Sequence, residues 1–135
     1  MDAKERQNLI TAMMKVIDRE NLPKPERICI RTPVYGTKTT RGKCIKSIES
    51  KKYRIIISTI KAKFINDSQG KYRSKVDGEK YRRVMGDERT INEIIHISAH
   101  ETAHLKYWDH GPQHESYTKH IEKLLCQELG VSFSN

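Results

Sequence analysis

TINEIIHISAHETAHLKYWDHGPQH, residues 90–114, is the stretch on which the reading of this chain turns. Thr90 stands just before an apolar periodic run and Glu93 follows it by three, the pattern of a capping box that opens a helix. Ile91, Ile94, Ile95, Ser98, Thr102 and Leu105 recur at helical spacing, which predicts one face packed on a sheet. The helix is predicted to run to about Tyr107 and to stop before Gly111-Pro112.

Inside this helix lies His100-Glu101-Thr102-Ala103-His104. Side chains four apart share a helix face, so two imidazoles can reach one metal ion. Neutral imidazole suits Zn²⁺, and one ion per chain is expected. Glu101 lies about 100° round the helix from His100. From there it reaches a water at the metal without ligating, which is the position of a general base. A catalytic zinc needs a third protein ligand and an open position. His110, at the helix break, is the first candidate; His114 and Glu115 rank behind it. His96 is set aside, because it stands about 12 Å along the axis from His104.

The motif HETAH followed by HGPQH resembles that of the SprT-like zinc metallopeptidases, which pair His-Glu-x-x-His with His-Gly-Pro. The related WLM and YgjP types place a third His at the same short spacing. RGKC (residues 41–44) and the run YRIIIST (residues 53–59) fit the same order upstream. The resemblance implies His100, His104 and His110 as ligands, Glu101 as catalytic base, and a peptide or protein substrate held on or near DNA. The chain departs from the family at His114, where Phe or Trp is usual, and its three cysteines are too few for a zinc ribbon.

Outward from the motif, five residues at helical spacing (Leu9, Ile10, Met13, Val16, Ile17) predict a first helix over residues 3–20. Short strands are predicted at residues 27–31, 43–48 and 53–60. A last helix is predicted at residues 113–129, with Gly130 as its C′ glycine. Asp77-Gly78 is a hairpin signal inside a basic stretch, residues 61–89, which reads as an insertion. The expected architecture is α+β in a single domain, residues 1–135. A small, mostly antiparallel sheet of three or four strands packs on the zinc-binding helix, with the N- and C-terminal helices beside it.

The 135 residues carry a net charge of +9, unevenly placed. Residues 21–90 hold 19 cations and 7 anions, whereas residues 91–135 hold 3 and 6. Such a basic block fits a nucleic-acid partner, and a Lys-rich solubilising surface accounts for it equally. Tyr72, Arg73, Lys75, Tyr81, Arg82 and Arg83 interleave aromatics with cations and are the candidates for phosphate contact and base stacking. The rival to a peptidase is a nucleic-acid-binding module with a structural zinc.

No run approaches a membrane span, and the charged start predicts no secretory signal. With three cysteines at wide spacing, an intracellular monomer is expected. Trp108 and Tyr107 are expected at the core or rim of the site ahead of any role with substrate. Tyr117 is expected in the core ahead of a role as oxyanion stabiliser, and Cys44 as a small buried hydrophobe.

Overall fold

Local chemistry closes each helix. The computed structural model describes residues 1–31, 41–66, 74–76 and 79–133. Helix α1 (Ala3–Arg19) opens on a capping box: the Glu5 N–H donates to Asp2 at 2.8 Å, and the Asp2 N–H donates back to Glu5 at 3.0 Å. Strands β1 (Arg27–Arg31), β2 (Gly42–Lys46) and β3 (Tyr53–Ser58) follow, then β4 (Ile60–Asn66), β5 (Ser74–Val76) and β6 (Glu79–Glu88). Helix α2 (Ile91–Ala103) opens on the predicted box, with the Glu93 N–H donating to Thr90 Oγ1 at 3.2 Å. Helix α3 (Pro112–Leu129) has proline in its first turn and ends at Gly130, whose φ of +68° is left-handed backbone that glycine adopts at no steric cost.

The strands form two three-stranded sheets rather than one. In the first, the order is β1-β3-β2, with β1 parallel and β2 antiparallel to β3. The second, β4-β6-β5, is antiparallel throughout. The stretch predicted as one strand from 53 to 60 breaks at Thr59. There the Thr59 N–H donates to the Arg31 carbonyl, and the Ser58 hydroxyl donates to the Ile60 carbonyl. The strand predicted to run to residue 48 ends at Lys46, because the Ser47 N–H turns to the Lys52 carbonyl and starts a turn. The basic stretch read as an insertion carries β4 to β6. Val76 and Glu79 pair across the hairpin, whose Asp77-Gly78 turn lies outside the described residues.

Leu9, Met13 and Ile17 of α1, Ile55 and Ile57 of β3, Ile94 and Ile95 of α2, and Ile121 and Leu125 of α3 are fully buried together. Burying such a side chain contributes about 1.5–3 kcal/mol. Helix α2 packs on β2 and β3 on one side and on α3 on another, and α1 packs on α3. Among the described residues no helix is long and apolar enough to cross a membrane.

Candidate metal centre

Helix α2 ends four residues earlier than its periodicity predicts. The backbone tightens, and the N–H groups of His104, Leu105 and Lys106 donate to carbonyls three residues back. That satisfies Glu101, Thr102 and Ala103. The carbonyl of His100, the remaining one in the last turn, accepts from His114 Nε2 at 2.9 Å. His114 sits in the first turn of α3, so it closes α2 from across the helix pair.

The tightened turn gathers imidazoles. His100, His104 and His114 lie close enough to hold a metal ion, with one ring nitrogen from each within 4.8 Å of the others. His110 joins them from the segment between the helices: its Nε2 faces His100 Nε2 at 3.1 Å. His104 and His114 are buried and stack at 4.1 Å between ring centres, His100 is half-buried, and His110 is exposed.

The hydrogen bonds of these rings fit a metal. His104 Nδ1 donates to the Tyr107 carbonyl at 3.1 Å, leaving Nε2 without a proton. His114 donates through Nε2, leaving Nδ1. A second nitrogen tied to a carbonyl is the usual support of a metal-ligating histidine. Burial and then neighbouring histidine charge hold His100 down to about 4, and burial comes first in lowering His104, so both rings are neutral and ready to ligate. Nitrogens bound to one tetrahedral zinc are about 3.3 Å apart, close to the His100–His110 separation.

Glu101 is buried, and its Oε1 lies 4.0 Å from His104 Nε2. Burial pushes its carboxyl up to about 7 against the opposing pull of Arg41. Its other wall is backbone. A Cβ on Gly42 of β2 would stand 2.9 Å from Glu101 Oε2 and 2.8 Å from Ile97 Cγ2, so any side chain there would push the carboxylate or Ile97 from its place. Nothing local in the sequence marks Gly42, since its role depends on how β2 meets α2.

The remaining candidates lie elsewhere. His96 Nδ1 pairs with Glu122 of α3 at 3.1 Å. Glu115 is exposed on α3. The Tyr117 hydroxyl donates to Glu20 at 3.0 Å and so ties α3 to the end of α1. Cys44 is half-buried, its thiol pushed up to about 12 by burial and then by the charge of Glu101. Tyr107 is half-buried, its ring 5.6 Å from that of Tyr117, whereas Trp108 is half exposed. Of the residues singled out for nucleic acid, Lys75 is on β5 and Tyr81, Arg82 and Arg83 are on β6. Tyr72 and Arg73 lie outside the described residues.

The raised Glu101 pKa has a signature in metal-free protein. From about pH 4.5 to 7 the folded chain keeps a proton that the unfolded chain has lost. This group's stabilisation is therefore full below pH 4.5 and fades as pH rises through 7. Glu101→Gln cannot titrate, so its Tm should gain steadily on the wild type across that window and hold the gap above it. The shift at His100 acts in the opposite sense in both proteins and cancels in the difference. Thermal melts from pH 4 to 8 measure this, and a gap independent of pH would contradict it.

Searched against protein-family models, curated proteins and solved structures, the chain matches none.

Proposed function

We propose that the chain is a zinc-dependent peptidase, with His100, His104 and His110 holding the metal and Glu101 as general base. The observation that carries the reading is the buried Glu101 carboxylate, 4.0 Å from His104 Nε2 at the edge of the imidazole cluster. A bound zinc supplies Lewis acidity, polarising a carbonyl and acidifying water. Glu101 takes a proton from the water that attacks the scissile carbonyl carbon. As the C–N bond breaks, it passes that proton to the leaving amine. Burial raises this carboxyl in the metal-free chain, and the charge of a bound zinc would draw it back to the ionised form that a base requires. His114 orients the site through the His100 carbonyl. The net charge of +12 over residues 21–90 supports substrates carried on nucleic acid.

One observation favours a second reading. His114 lies in the same cluster, and a fourth protein ligand makes a closed, structural centre. Zinc content and peptide hydrolysis, measured with and without single-stranded DNA, separate the two. In the peptidase, His110→Ala loses zinc and activity, whereas His114→Phe keeps stoichiometric zinc and measurable turnover. In a closed site each change releases zinc, and no variant hydrolyses peptide. Wild-type protein that binds zinc and never cleaves would overturn the peptidase.

A further inference from the structure

Trp108 is half exposed, at 50% of its surface, beside a cluster that is otherwise polar. Two other large hydrophobic side chains among the described residues are exposed, Ile48 after β2 and Ile91 at the start of α2, whereas Trp108 meets the ring of His104. Its ring meets that of His104 at 6.2 Å between centroids, tilted 62°. Tyr53, at the start of β3, holds it from another direction at 6.1 Å and 55°. Lys46 Nζ lies over the Tyr53 ring at 5.5 Å. The indole is thus propped by two rings yet leaves much of its surface to water, four residues after one candidate ligand and two before another.

Core packing does not account for this arrangement, since a packed indole would be covered. An aromatic face left open beside a reacting centre binds apolar groups by dispersion and offset stacking. Lys46 on the same ledge opposes a cationic side chain there. We infer that Trp108, propped by Tyr53 and His104, is a specificity platform that receives a large apolar side chain of the peptide next to the scissile bond. The inference rests on the peptidase reading and narrows its substrate class to peptides with an aromatic or branched aliphatic residue at that position.

Trp108 is the chain's single tryptophan, so its emission reports the platform directly. The probes are blocked tripeptides, acetyl-Ala-Xaa-Ala-amide, with Xaa as Phe, Leu, Ala or Lys. They are titrated into zinc-loaded Glu101→Gln protein, and their cleavage by wild type, Trp108→Ala and Trp108→Phe is followed. The Phe and Leu peptides should shift the emission saturably, and the Ala and Lys peptides should not. Trp108→Ala should lower kcat/KM for the Phe and Leu peptides by roughly 10- to 100-fold and leave the Ala peptide within about twofold. Trp108→Phe should restore most of the preference. An equal loss on every peptide would mean that the indole only packs against His104, and would overturn the platform. Should no peptide be cleaved by any variant, the peptidase reading fails, while the emission titration still decides the platform: saturable discrimination upholds it and an unmoved spectrum ends it.

Discussion

Glu101→Gln will keep its zinc and lose peptide hydrolysis by roughly 10²–10⁴-fold, the usual contribution of a positioned general base. The amide copies the carboxylate's shape and cannot take the water's proton. Metal should stay because Glu101 is not among the gathered ligands; its nearer oxygen stops 4.0 Å from His104 Nε2. Zinc per chain and the hydrolysis rate are measured on the same preparation. Turnover at the wild-type rate would remove Glu101 from the mechanism, and a loss of zinc would make it structural.

The second large effect is on metal and stability together. Zinc at about 100 times its Kd should stabilise the wild type by about 2.7 kcal/mol. For a chain of this size that is a rise in Tm of roughly 10 °C. The double variant His100→Ala, His104→Ala should show no such rise and bind no stoichiometric zinc. Trp108 gives an independent reading: its ring is 6.2 Å from that of His104, so added Cu²⁺ should quench wild-type emission and leave the double variant bright. An unchanged Tm response in the double variant would place the metal elsewhere on the chain.

What could be read from the residues alone follows from the range of the interactions involved. The three helices were legible to within a few residues, because capping boxes at Asp2 and Thr90 and an apolar repeat are local signals. The neighbourhood of His100 and His104 was legible for the same reason, since a spacing of four dictates a shared face. The second sheet was legible only at its β5–β6 hairpin, which Asp77-Gly78 signals. The pairing of β4 with β6 was not, since Asn66 meets Tyr81 with β5 lying between them in the chain. Nor was the parallel pairing of β1 with β3, which depends on how the chain crosses over. His114 was ranked low because its neighbours in sequence say nothing of the His100 carbonyl it reaches from another helix. His110 and Glu101 each lie beside His104, but which of His110 and His114 completes the ligand set is a question of inter-helix packing, to which spacing is blind.

Gly42 carries a consequence for how this fold can change over time. A ligand histidine advertises itself, and its loss is easily blamed for a dead site. Gly42 contributes clearance: the empty volume beside its Cα is where the Glu101 carboxylate rests, and Ile97 claims the same volume from the next turn of α2. The outline of the candidate site is therefore drawn partly by the main chain of an edge strand. Drift in β2 has a narrow tolerance at this one position, though the strand carries none of the gathered histidines. A descendant that gained a methyl group there would display every histidine intact and the Glu101 carboxylate displaced, a change that an inventory of the histidines would never reveal.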